Sequence, residues 1–169
     1  KNYETHKARW SSYKVIRLKN YRIIHLATHG IVSADVPELS AIILTAPDKI
    51  SKNDGFLNVT EIIDLNINSD LVVLSACETA MGKIFAGEGV VGLTQAFMSA
   101  GSNGVCASLW KVSDEATLIY MKDYYKKIRR NPHYSESLAK TKRNFILGRY
   151  GKENKNPYYW APFVYYGSN

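Results

Sequence analysis

The chain has 169 residues, is 46% hydrophobic and 12% aromatic, and carries a net charge of +7. That length suits one domain large enough to bury a core, and the composition excludes a low-complexity or disordered chain. No apolar run approaches the length of a membrane span and no signal-peptide pattern stands at the start, so a soluble, cytoplasmic protein without a membrane partner is expected.

The charge is uneven. Residues 1–22 hold seven Lys/Arg against one Glu, and residues 122–155 hold eleven against three acids. The middle, 23–121, holds four against eleven. The basic flanks read as solvated helix faces. The rival reading is a docking surface for nucleic acid or an acidic partner; no nucleic-acid motif supports it, because aromatics do not interleave with Lys/Arg in any recognition pattern. The two cysteines allow one disulfide at most. Cys106 lies inside the apolar run 104–110 and reads as a buried free thiol, which suits a reducing compartment.

In chain order, residues 3–14 are charged and helical in character, without a clear cap. Strand-like runs follow at 22–28, 41–45, 71–76, 104–109 and 161–166, each short and largely apolar. Helices are expected between them. Thr60 is expected to cap a short one reaching Leu65. A glycine-rich helix is expected over 89–100, with Val90, Leu93 and Phe97 on its apolar face and Gly101 as its stop. Ser113 or Asp114 would cap a helix reaching about Arg130, its core face read as Leu118, Met121, Tyr125 and Ile128. Ser135 would open another through Leu138, Lys142, Phe145 and Ile146, ending near Gly148. Alternating strands and helices predict an α/β fold with a mostly parallel sheet flanked by helices. Because the chain opens in a basic helix, the sheet is expected to lack N-terminal strand(s). The chain then reads either as a small fold or as a piece of a longer polypeptide.

Two of the strand runs end in reactive residues. Residues 22–30 close on Thr28-His29-Gly30, and residues 70–78 close on Ser75-Ala76-Cys77-Glu78. If the strands are parallel neighbours, His29 and Cys77 emerge together at the carboxyl edge of the sheet, where open α/β folds place their chemistry. A thiol needs a base or a positive field to become nucleophilic, and an imidazole supplies one and later protonates the leaving amine. Gly30, lacking Cβ, lets a carbonyl oxygen approach its N–H, and the N–H of Cys77 is the second natural oxyanion donor. The 48-residue separation also matches the caspase arrangement, with histidine about 50 residues before cysteine. Ser-Ala-Cys-Glu-Thr is not the caspase pentapeptide, however, and local signatures do not transfer between families. On spacing alone, a core cysteine and a strand-end histidine bonded to backbone remain an equal alternative.

Five ordered motifs extend the comparison. They are His25-Leu26-Ala27-Thr28-His29-Gly30, Leu74-Ser75-Ala76-Cys77-Glu78-Thr79-Ala80, Gly87-Glu88-Gly89-Val90-Val91-Gly92-Leu93, Ser108-Leu109-Trp110-Lys111-Val112-Ser113-Asp114-Glu115-Ala116, and Tyr158-Tyr159-Trp160-Ala161-Pro162-Phe163. In this order, over about residues 20–167, the chain resembles the CHAT domain, a caspase-like module of the caspase and separase clan often found beside tetratricopeptide repeats (TPR). Ala80 stands where the family often has glycine. The resemblance implies a caspase-type fold and a thiol protease hydrolysing peptide bonds, with His29 and Cys77 as its dyad. It also implies that residues 1–169 are one domain, the C-terminal part of a longer polypeptide. The implied partners are a protein substrate and an upstream TPR module or regulatory protein. The implied setting is prokaryotic antiviral defence, as in an RNA-guided CRISPR effector complex.

Other signals weigh less. Gly87-Glu88-Gly89-Val90-Val91-Gly92 fits G-x-G-x-x-G with Asp114 22 residues on, but the preceding strand ends ten residues too early for a dinucleotide fingerprint. His25 and His29 could grip zinc on a helix; on a strand they stand about 13 Å apart, so neither a metal nor a cofactor is expected, and His25 reads as a bonded interior residue. Asn58-Val59-Thr60 is a glycosylation sequon without meaning in a cytoplasmic protein. His6 and His133 read as surface residues. Trp110 is either the floor of a substrate subsite or a cap on the core. Asp114 is a helix cap or a substrate ligand, and Glu78 would tune the thiol or bond a neighbouring loop. The acidic middle allows a cleft that prefers a basic residue at the cleaved position. A non-catalytic interaction domain on the same fold is the competing reading, although a scaffold has no need to keep His29, Gly30 and Cys77 together.

Overall fold

The computed structural model describes residues 18, 20–31, 33, 36–44, 55–75 and 86–168, with backbone alone at 37 and 86–91. The expected helix over 3–14, with His6, and the positions Cys77 and Glu78 lie outside these residues.

Four strands form the main sheet: β1 (Ile23–Leu26), β5 (Leu71–Leu74), β6 (Gly104–Ser108) and β7 (Phe163–Gly167), in the order β1-β5-β6-β7. β1, β5 and β6 are parallel, and β7 runs antiparallel to β6. This is the expected α/β architecture, consistent with a caspase-like fold. A second, antiparallel sheet joins β2 (Gly30–Ile31), β3 (Ala41–Ile43) and β4 (Phe56–Asn58); β3 is the strand expected at 41–45, whereas β2, β4 and the separate sheet are unexpected. β2 and β4 are two and three residues long, too short to show a period-two pattern.

β5 is buried at all four positions, as a parallel strand covered on both faces must be. Alternation divides the sheet between two apolar layers. Val72, Leu74, Val105 and Ala107 face helix α2 (Ala86–Ser99) through Leu93, Ala96 and Phe97, with Ile62 of α1 (Val59–Ile63) beneath. Leu71, Val73 and Cys106 face helices α3 (Asp114–Ile128) and α4 (Tyr134–Ile146), meeting Tyr120, Tyr124, Leu138 and Phe145. A short helix α5 (Pro157–Trp160) leads into β7.

The helix boundaries correct several expectations. Asn58, not Thr60, caps α1: its side chain accepts from the Glu61 N–H at 3.0 Å while Glu61 accepts from the Asn58 N–H at 2.9 Å. α2 begins at Ala86 rather than at 89, so Gly87, Gly89 and Gly92 lie within the helix. It ends at Gly101, whose φ of +109° and N–H bond to the Met98 carbonyl, with that of Ser102 to Phe97, make a Schellman stop. Any Cβ there would collide with the Ile67 carbonyl. Ser113, not Asp114, caps α3 by accepting from the Ala116 N–H. α4 starts one residue before Ser135, and no side chain caps it.

The face of α3 also differs. Ala116, Tyr120, Met121, Tyr124 and Ile128 are buried, whereas Leu118 is 53% exposed. Two residues from Tyr120 is about 200° around the helix, so the two cannot share a face. On α4, Leu138 and Phe145 are buried as expected, but Ile146 is exposed.

Candidate active site at the carboxyl edge of the sheet

β1 and β5 are parallel neighbours in the register Leu26↔Leu74. His29 is the third residue after Leu26, and Cys77 is the third after Leu74. The two candidate residues therefore follow paired strands at equal chain distance from one registered pair.

The segment carrying His29 is held by the small sheet. The Thr28 hydroxyl donates to the Ile43 carbonyl at 2.5 Å, and the Ile43 N–H donates to the His29 carbonyl at 2.8 Å. Gly30 then opens β2 opposite Ile42. In an antiparallel ladder hydrogen-bonded pairs alternate with non-bonded ones. The bond at 29 and 43 makes Gly30 and Ile42 a non-bonded pair, so the Gly30 N–H is directed away from β3. That direction suits the oxyanion role read from sequence. His29 itself is solvent-exposed.

His25 is bonded, as expected, but it is not interior. Its Nε2 lies 2.7 Å from the Ser75 hydroxyl and its Nδ1 lies 2.9 Å from the Tyr125 hydroxyl, while the residue keeps substantial exposure. Desolvation of the ring by the surrounding protein pushes its pKa below the ordinary value. Burial likewise drives the Tyr125 phenol well above its ordinary range. Sequence reasoning missed this arrangement. The shared face of His25, Val73 and Ser75 follows from strand alternation, but the contribution of Tyr125, 100 residues on, does not.

The other candidates stand apart in role. Trp110 follows β6, and its indole N–H donates to the Tyr158 carbonyl at 3.0 Å. The Tyr158 hydroxyl donates to the Lys111 carbonyl at 2.7 Å, so α5 straps the loop after β6. Trp110 also packs, partly buried, against the α3 layer. Asp114 is exposed on the first turn of α3. Cys106 is free, fully buried, and its thiol is pushed up to about 12, chiefly by burial. Such a thiol is inert near neutrality. Among the described residues, no group of three or more His, Cys, Asp or Glu is placed to hold a metal ion. No described helix is long and apolar enough to cross a membrane.

The family model of the CHAT domain matches residues 6–168. The chain belongs to the CHAT-domain family. It is similar to tetratricopeptide repeat protein 28 of Mus musculus, 30% identical over 136 residues covering 80% of this chain. It is also similar to tetratricopeptide repeat protein 28 of Homo sapiens, 28% identical over 151 residues covering 89% of this chain. The matched region is about 5% of the length of each of these relatives. The CHAT domain is a caspase-like peptidase family, and both relatives are named for tetratricopeptide repeats.

Proposed function

We propose that this CHAT domain is a cysteine endopeptidase whose dyad is His29 and Cys77. The observation that carries the reading is the register of β1 on β5, from which both residues are equally distant. In the proposed mechanism the His29 imidazole takes the Cys77 proton, and the thiolate attacks the scissile carbonyl. Charge then develops on the carbonyl oxygen, where the N–H groups of Gly30 and Cys77 donate hydrogen bonds. His29 returns the proton to the departing amine, leaving an acyl-enzyme that water hydrolyses with the same base. Glu78, Trp110 and Asp114 are proposed to border the substrate cleft, with Trp110 held in place by its bond to Tyr158. Cys106, buried with its thiol pushed up, is unsuited to the role, which supports Cys77 as the nucleophile.

The repeat-protein names of the relatives support association with a repeat module, and we propose that such a partner gates the peptidase activity. Since those relatives are mammalian, they direct the proposal toward such a module rather than an RNA-guided complex. The test is terminal-amine proteomics of a denatured peptide library incubated with the full-length protein, its repeat partner present and absent. Cleavage that disappears in both Cys77→Ala and His29→Ala is expected. Equal cleavage by Cys77→Ala, or none by the wild type in either condition, would favour a docking domain instead.

A further inference from the structure

The proposed dyad leaves unused a hydrogen-bonded chain that links β1, the residue after β5 and α3. Ser75 is the first residue after β5, and its N–H continues the β1 pairing by donating to the Leu26 carbonyl at 3.3 Å. Its hydroxyl lies 2.7 Å from His25 Nε2. The opposite ring nitrogen lies 2.9 Å from the Tyr125 hydroxyl of α3, with the two ring centroids 5.6 Å apart. A neutral imidazole carries one donor and one acceptor, and either hydroxyl can take either complementary role. Both ring nitrogens are therefore satisfied whichever tautomer is present. One imidazole thus pins the end of β5 to β1 and both to α3.

The position of this chain gives it meaning. His25 precedes His29 by four residues, and Ser75 precedes Cys77 by two. Any change in the separation of the two strand ends is passed directly to the segments that follow them. Displacements of about 1 Å at reacting groups cost on the order of a hundredfold in rate. We propose that His25 is a positioning residue for the peptidase site: bridging Ser75 and Tyr125, it sets the relation between the strand ends that lead to His29 and to Cys77. This rests on the dyad reading above, and adds a buttress that acts through other residues rather than on the substrate.

The experiment reads the thiol itself. The full-length protein is alkylated with iodoacetamide from about pH 5 to about pH 10, and Cys77 is followed in the tryptic peptide 53–83, separate from Cys106 in 84–111. Wild type, His29→Ala, Ser75→Ala, Ser75→Thr and Tyr125→Phe are compared, with thermal unfolding of each. The expected wild-type midpoint lies below that of His29→Ala. Ser75→Ala and Tyr125→Phe raise it by about one pH unit, lowering the neutral-pH alkylation rate about tenfold. Ser75→Thr, which keeps the hydroxyl, restores the wild-type midpoint. A midpoint unchanged in Ser75→Ala and Tyr125→Phe, while His29→Ala raises it, overturns the positioning role and leaves the dyad standing. Identical midpoints for wild type and His29→Ala overturn the dyad and this proposal with it. A lower unfolding temperature without a shifted midpoint assigns the chain to stability alone and also overturns the proposal.

Discussion

Asp123 joins the two helices that cover one face of the sheet, and its removal has a calculable cost. Its carboxylate pairs with Lys127 one turn on in α3 and accepts from the Asn144 amide of α4 at 3.1 Å; Tyr150 bonds it as well. The side chain is 10% exposed and that of Lys127 is 20% exposed, so solvent screens the pair weakly. Burial alone would raise the carboxyl pKa, but Lys127 and Tyr150 outweigh it and hold the group below the ordinary aspartate value. Hydrogen bonds to a charged group contribute about 1.5–3 kcal/mol. Asp123→Ala also strands Lys127 and Asn144, so a loss of about 2–3 kcal/mol at pH 7 is expected. The sign of the pH dependence follows from the depressed pKa. The stabilisation is complete above the unfolded-state pKa of about 3.9 and disappears as pH falls through the lower folded value. Urea unfolding of wild type and Asp123→Ala at pH 7, and stepwise down to about pH 2, should show the stability gap narrowing only below about pH 4. A gap that is the same at both ends of the range would refute an electrostatic role for the carboxylate.

Three further outcomes test the packing. Asn58→Ala, which removes the capping box of α1, should cost about 1 kcal/mol in urea unfolding, whereas Thr60→Ala should cost little. The hydroxyl of Tyr124 is buried and finds no hydrogen-bond partner among the described residues, so Tyr124→Phe should be neutral or stabilising by up to about 1 kcal/mol; a clear loss in thermal unfolding would contradict this. Leu118→Ala on the exposed side of α3 should cost under about 1 kcal/mol, against about 3–5 kcal/mol for Tyr120→Ala.

The parts of the fold legible in the sequence are those with strong local signals. β5 and β6 are unbroken runs of apolar or small residues because both faces are covered, and the motifs that follow β1 and β5 are what direct the proposal to His29 and Cys77. The cap of α1 is misread from the sequence as Thr60, although Glu61 three residues after Asn58 carries the capping-box spacing, because Thr60 is also a competent cap. The face of α3 was harder to read. With tyrosines at 120, 124 and 125, several stripes have helical spacing, and tertiary packing chooses the one that buries Tyr120 against Phe163, their centroids 4.1 Å apart. The antiparallel direction of β7 and the bond between His25 and Tyr125 depend on contacts distant in sequence, which no local pattern encodes.

The central claim, that Cys77 is a nucleophile activated by His29, is tested most directly by the covalent adduct of a peptidyl acyloxymethyl ketone. After labelling of the full-length protein, peptide mapping locates the adduct. The account predicts modification of Cys77 in the wild type and in Cys106→Ala, a strongly reduced yield in His29→Ala, and no adduct in Cys77→Ala. An adduct on Cys106, or one on Cys77 that forms as fast without His29, would contradict it.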